Sequence, residues 1–145
     1  MNKITKQKVV VYCVSDDKML VFRHTDFSYE EVGIQVPAGS IKENEKPEEA
    51  AFRELCEETG LSNFKIIKSL GVDIYDMTPY RFEIQERHFF LAEPISKLPE
   101  RWNSEELHDG EGKPTRFECF WIPLISAHVL QSGQGSMLYK ISEIS

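Results

Sequence analysis

The stretch from Gly39 to Leu61, GSIKENEKPEEAAFRELCEETGL, limits the fold and chemistry of this chain more than any other part of it. Pro47 suits the first position of a helix, where a missing N–H costs nothing, and Gly60 suits the left-handed residue that ends one. The spacing predicts a helix between Pro47 and Gly60. Lys46 falls at its N-cap, where Ser or Thr would satisfy the first N–H groups better. Ala51, Phe52 and Leu55 give the helix an apolar stripe for a core. Glu54 lies three residues before Glu57 and four before Glu58, so their carboxylates are surface neighbours. Like charges at that spacing repel. The negative end of the helix dipole disfavours them further, by about 0.3–1 kcal/mol each. A face that only had to be solvated would favour Lys or Arg there. A bound divalent cation turns this defect into a site, because hard cations such as Mg²⁺ take carboxylate oxygens.

Around this helix the chain reads as an α/β domain. Lys8–Val14 and Met19–Arg23 are β-rich runs joined by a turn at Ser15–Lys18, a hairpin. His24–Val32 reads as a loop and Ile34–Val36 as a short strand ended by Pro37. Phe64–Tyr75 and Arg81–Leu91 form a second expected hairpin. Glu93–Pro114 is expected to be irregular, Arg116–Ile122 a strand, Leu124–Gln131 a second short helix, and the tail from Gln134 helical or frayed. With no repeat or linker, residues 1–145 are expected to form one domain. The net charge of −7 argues against a nucleic-acid or anionic-membrane partner. No run of about 18 apolar residues suggests a membrane span, and the N-terminus has no apolar signal region. Cys13, Cys56 and Cys119 are odd in number and widely spaced. They read as reduced thiols of a cytoplasmic protein.

The 23-residue segment matches, at every fixed position, the pattern GX5EX7REUXEEXGU, with U aliphatic. A chance match is on the order of one in 10⁹ per starting position at average residue usage. The chain thus resembles the Nudix (MutT-like) hydrolases, and the pattern is their Nudix box. The resemblance implies a mixed, partly parallel sheet sandwiched between helices. It also implies hydrolysis of a nucleoside diphosphate linked to another moiety by metal-activated water. Mg²⁺ is the implied cofactor, with Mn²⁺ as a substitute. By the same resemblance Glu57 and Glu58 hold metal, and Glu54 holds metal, acts as the base, or does both. The Gly39 carbonyl can join the metal shell, and Arg53 pairs with the box glutamates and holds them in place. Glu45 sits just before the helix, where its charge suits the positive dipole end.

Outside the box the sequence says less. Arg23 ends a strand near the expected cleft and is a candidate for binding substrate phosphate. Phe27 and Tyr29 could stack on a base or pack internally. Family members often add an acidic residue downstream, for which Glu111 and Glu118 are the candidates. His88, between apolar neighbours in a strand, reads as a structural histidine. The box does not encode the substrate: nucleoside triphosphates, nucleotide sugars and dinucleoside polyphosphates all stay open. Pro37-Ala38-Gly39 resembles the entry of ADP-ribose and nucleotide-sugar hydrolases. Those often carry a Pro about fifteen or sixteen residues beyond the box's terminal Gly, where Tyr75 and Asp76 stand here, and this departure weakens an ADP-ribose assignment. The expected partner is a small nucleotide-type substrate, and a homodimer is left open. The alternatives are a catalytically silent ligand-binding module on the same fold and isomerase chemistry on a prenyl diphosphate.

Overall fold

The computed structural model describes residues 3–26, 33–106, 114–130 and 133–141. Strand β1 (Ile4–Ser15) turns into β2 (Lys18–His24) through Asp16 and Asp17, with φ of 51° and 58°. Two left-handed residues make the tight turn whose twist matches the strands, and Asp tolerates that region better than most side chains. Then come β3 (Ala38–Ser40), the helix α1 (Pro47–Thr59), β4 (Phe64–Asp76), β5 (Glu83–Pro94), β6 (Arg101–Glu106) and β7 (Thr115–Pro123). The sheet runs β4-β5-β1-β2-β7-β6, with β3 added on β1. β1 and β5 are parallel, from Ile4 opposite Glu83 to Cys13 opposite Ala92, and the other named pairs are antiparallel.

The sheet is forked, and the fork sets the position of everything functional. β1 and β2 are registered only at Val14 with Met19 and Ser15 with Lys18. Beyond that they diverge, β1 toward β5 and β2 toward β7. Residues 35–40 fill the gap. The Phe22 N–H donates to the Gln35 carbonyl at 2.8 Å, the Gln35 N–H returns the bond at 3.0 Å, and the Val11 N–H donates to the Pro37 carbonyl at 2.8 Å. The expected strand at Ile34–Val36 is therefore reduced to a single bridge at Gln35, and the true strand, β3, follows the proline. Pro37 lacks an N–H but keeps a carbonyl, so it can be bonded on one side while Ala38–Ser40 take the free edge of β1.

β1 is buried on both faces, which explains its near-continuous apolar run. Val9, Val11 and Cys13 pack with Leu20, Phe22, Phe90 and Phe117 against Ala50, Ala51 and Leu55 of α1. Val10 and Tyr12 pack with Met19, Val21 and Phe89 against Ala127, Leu130, Met137 and Ile141. The sandwich is asymmetric, with an α-helix on one side and 3₁₀ turns at Leu124–Val129 and Leu138–Lys140 on the other. The expected second helix is the first of these turns. The buried Tyr12 hydroxyl donates to the Gln134 carbonyl and accepts from the Met137 N–H at 3.3 Å, which ties the C-terminal segment to the sheet. Burial pushes this phenol well above its ordinary pKa, so it stays a donor.

Two further expectations are corrected. β6 forms within the stretch expected to be irregular, pairing with β7 from Arg101 opposite Phe120 to Glu106 opposite Thr115. Phe52 is 38% exposed, and Ala50 takes its place in the buried stripe of α1. The helix ends are as read. The Lys46 N–H donates to Glu49 Oε1 at 2.9 Å, and Gly60, at φ 74°, donates its N–H to the Cys56 carbonyl at 2.9 Å. All three cysteines are free; burial pushes Cys13 up to about 12 and Cys119 up to about 11. Among the described residues no helix is long and apolar enough to cross a membrane.

The core assignment predicts a contrast within one helix. Leu55→Ala removes a fully buried side chain and should cost ~2–5 kcal/mol. Phe52→Ala should cost less than ~1 kcal/mol, as for an exposed position. Urea denaturation of both variants measures the difference, and equal losses would contradict the packing of α1.

Candidate carboxylate site

One guanidinium organises the acidic face. Arg53 Nε and Nη2 reach the two oxygens of Glu45 at 2.8 and 3.0 Å, a bidentate fork. Its Nη1 donates to Glu54 Oε1 at 2.7 Å and to Glu57 Oε2 at 3.2 Å, while Nη2 also donates to the Ser40 carbonyl at 2.8 Å. Lys could not span these acceptors, because only guanidinium presents five N–H groups in a fixed plane. Arg53 is held further into its charged form, chiefly by Glu45. Glu45, with the Arg53 hydrogen bond as the main cause, is pulled down to about 2. Glu45 also accepts the Lys42 N–H at 2.9 Å, so it staples the loop before α1 as well as Arg53.

With Arg53 in place, Glu54 lies directly under β3. A Cβ on Gly39 would overlap the Glu54 carboxylate, so a side chain there fits only by moving that carboxylate; the constraint is close approach, not backbone conformation. Carboxylate oxygens of Glu54, Glu57 and Glu106 come within 4.8 Å of one another. Glu58 is buried beside them and accepts the Ala38 N–H at 3.3 Å. Burial is the largest cause raising the Glu58 carboxyl well above its ordinary range, followed by Glu54 and Glu106; burial also raises Glu54, against the pull of Arg53.

Glu106 was not among the sequence candidates. It comes from β6, which is sewn to the end of α1. Trp102 Nε1 donates to the Thr59 carbonyl at 2.8 Å, and the Ser104 hydroxyl donates to the Glu58 carbonyl. These carbonyls are among the last of the helix and have no partner within it. Trp102, Ser104 and Glu106 alternate along the strand, so the row that caps the helix also delivers the carboxylate. That alternation is the one trace of the site in RWNSEE, and it is obscured because the outward residues are polar too.

The other candidates lie elsewhere. Glu118 alternates away from Phe117 and Cys119, which face α1, and forms ion pairs with Arg23 at 2.8 Å and Arg101 at 2.9 Å. Arg23, the main cause, holds its carboxyl below the ordinary range. Arg23 and Glu118 thus engage each other and do not join the carboxylate group. Glu111, Phe27 and Tyr29 lie outside the described residues. His88 Nε2 sits 2.9 Å from Gln7 Oε1, a cross-strand contact. Against the carboxylates is a cavity of about 240 Å³ whose wall includes Glu58, Glu106, His24, Phe22, Phe117 and Gln134.

The model of the NUDIX domain matches residues 5–139. The chain belongs to the NUDIX family. It is 34% identical over 99 residues to the ADP-ribose pyrophosphatase of Bacillus subtilis (strain 168), a match covering 68% of this chain and 51% of that protein. A match of 59% over 34 residues, 23% of this chain and 20% of the relative, is to an RNA pyrophosphohydrolase of Bartonella tribocorum. The chain thus spans about half the length of the first of these relatives. Among solved structures, a NUDIX hydrolase from Nitrosomonas europaea has a TM-score of 0.70 at 17% identity, with 96% of this chain and 89% of that one covered. A MutT NUDIX hydrolase from Burkholderia pseudomallei has a TM-score of 0.66 at 18% identity, with 94% and 98% covered. At these identities the likeness shows the mixed α/β fold.

The electrostatics give a testable pH dependence. Glu58 and Glu54 have folded pKa values above the ordinary carboxylate value, so above that value the folded state binds more protons than the unfolded one. Their contribution to stability is complete below the unfolded pKa and is lost as pH rises through the raised folded values. Each unit of upward shift costs about 1.4 kcal/mol at a pH above both values. Glu45 acts oppositely, its contribution being lost as pH falls toward about 2. In EDTA, melting temperature should therefore fall between pH 6 and pH 8, and Glu58→Gln should flatten that fall and melt higher than wild type at pH 8. A variant melting lower than wild type at pH 8 would contradict the burial of an uncompensated charge.

Proposed function

We propose that the protein is a divalent-metal-dependent pyrophosphohydrolase, with Mg²⁺ as the physiological ion and Mn²⁺ as a substitute, acting on a nucleoside diphosphate linked to another group. The observation that carries this reading is the convergence of Glu54, Glu57 and Glu106 within 4.8 Å beside an open cavity. The donor set fits a hard cation, being all carboxylate oxygen, and the Gly39 backbone lies close against one of its members, Glu54. The membership of the NUDIX family supports the same class of reaction.

Glu54, Glu57 and Glu106 would hold the ion, which would supply positive charge against the pyrophosphate and Lewis acidity toward water. The chain does the rest. Arg53 fixes Glu54 and Glu57, so that two repelling carboxylates stay on one side of the helix. Glu54, at hydrogen-bond distance from Arg53 and against β3, is the carboxylate placed to take the proton of the attacking water. Water oxygen bonds to phosphorus, the bridging P–O bond breaks, and two phosphate-bearing products leave. No covalent enzyme intermediate is required. The silent-module reading has no observation in its favour, since every box carboxylate and Arg53 is present and engaged.

Three measurements test this. Purified protein with Mg²⁺ should hydrolyse at least one member of a panel of nucleoside triphosphates, nucleotide sugars, ADP-ribose and dinucleoside polyphosphates. In ¹⁸O-water the label should appear on a phosphate, and label on carbon would reject the mechanism. Glu57→Gln should lower kcat by on the order of 10²-fold at saturating metal. Gly39→Ala should do the same by displacing the Glu54 carboxylate, with little change in melting temperature. Full turnover in both variants would remove the site from the reaction.

A further inference from the structure

The cavity beside the carboxylates has a polar wall that hydrolysis itself does not use. Gln134 is buried in that wall, and its Oε1 accepts the Val36 N–H at 2.9 Å. A backbone N–H can only donate, so this bond fixes which end of the amide is oxygen. What Gln134 offers the cavity is the Nε2 donor pair. The Gln134 carbonyl is held by the Tyr12 hydroxyl, so the residue is anchored at backbone and side chain alike. Gln35 lines the same wall, 3.3 Å from His24 Nε2, with its backbone bonded to Phe22. Three aromatic rings line the cavity beside it, with Val36, Ala38 and Thr115. Phe22, His24 and Phe117 pack edge to face with centroids 4.8–6.0 Å apart. The acidic end, at Glu58 and Glu106, adjoins the carboxylates proposed to hold the metal.

We infer that this cavity receives the nucleobase of the substrate, and that Gln134 is a specificity-determining residue donating a hydrogen bond to an exocyclic carbonyl of that base. Bases with a carbonyl at this edge (hypoxanthine, guanine, uracil) are then taken in preference to those with an amino group (adenine, cytosine). This inference rests on the pyrophosphohydrolase reading above. Aromatic side chains beside one fixed hydrogen-bond donor suit a planar heterocycle. An amino group facing Nε2 sets donor against donor and leaves both without a partner in a buried place. Gln134 cannot rotate to offer its oxygen without abandoning the Val36 N–H.

The test uses matched pairs, ITP against ATP and UTP against CTP, which differ at the exocyclic group and the protonation of the adjacent ring nitrogen. Turnover is measured with Mg²⁺, and binding by calorimetry with Ca²⁺ in its place. The wild type should favour ITP over ATP and UTP over CTP by on the order of tenfold or more in kcat/KM and in Kd. The difference should lie mainly in KM. Gln134→Glu keeps an acceptor for the Val36 N–H and puts a carboxylate oxygen where Nε2 stood. It should reverse the preference, whatever the added charge does to affinity overall. Gln134→Met should bring both ratios near one. Wild-type ratios near one overturn the inference without need of any variant, as does an unchanged preference in a Gln134→Glu protein that melts like wild type. Turnover without base preference overturns this inference and leaves the hydrolase reading standing. Carbonyl-selective binding without turnover does the reverse, and failure of all four nucleotides to bind overturns the base assignment.

Discussion

The carboxylate site depends on Arg53. An unscreened row of glutamates on the last turns of a helix, pressed against a strand, is unstable by repulsion and by desolvation. The Arg53 fork engages Glu45, Glu54, Glu57 and the Ser40 carbonyl at once. It thereby joins the loop before α1, the end of β3 and the acidic face of the helix through one planar group whose charge never titrates away. Gly39 is the necessary complement, since the clamp brings Glu54 so close to β3 that a side chain there would displace the carboxylate. Glu45, Arg53, Glu54 and Glu57 are thus one mechanical unit, held by what a single guanidinium can reach.

The fork in the sheet determines what that unit faces. β1 must bury both faces, so it cannot stay with β2 once β5 and β3 claim its edges. The separation opens a space that residues 35–40 only partly fill, and the cavity lies there, between the end of β2, the start of β7 and the C-terminal segment. Tyr12 holds that segment from within the core. Core packing on the side of the sheet away from α1 therefore controls a wall of the cavity on which the chemistry opens.

The helix and both hairpins were legible because their signals are local. Pro47, Gly60 and the 3.6-residue stripe fix α1, and the Asp16-Asp17 turn fixes the first hairpin. Phe52 was misread because periodicity defines a face without defining how wide the partner surface is. Ile34–Val36 looked like a strand by composition, whereas β3 is made by pairing that only the fork makes available. β6 was lost for the same reason. RWNSEE carries little apolar signal because it is an edge strand with one side in solvent, and what recruits it is a pair of helix-end carbonyls. Glu118 lay in a correctly read strand, but its face follows from parity with Phe117 and Cys119, and that needs the knowledge that those two lie under α1.

The contrast between Glu106 and the box glutamates bears on how such a site forms. Glu54 and Glu57 are neighbours as soon as the helix exists. Glu106 arrives only when β6 pairs with β7 and caps α1, and Gly39 only when β3 joins β1. An unfolded chain therefore has fragments of the cluster but no cluster, and a cation that needs all of its ligands binds the native state alone. Its binding free energy then adds to folding stability through linkage. The same folding that creates the site raises the proton affinity of Glu54 and Glu58, so protons and cations compete for carboxylates that neither holds fully until the fold is complete. Arg53 offsets part of the repulsion among these like charges by pairing with Glu45, Glu54 and Glu57 at once.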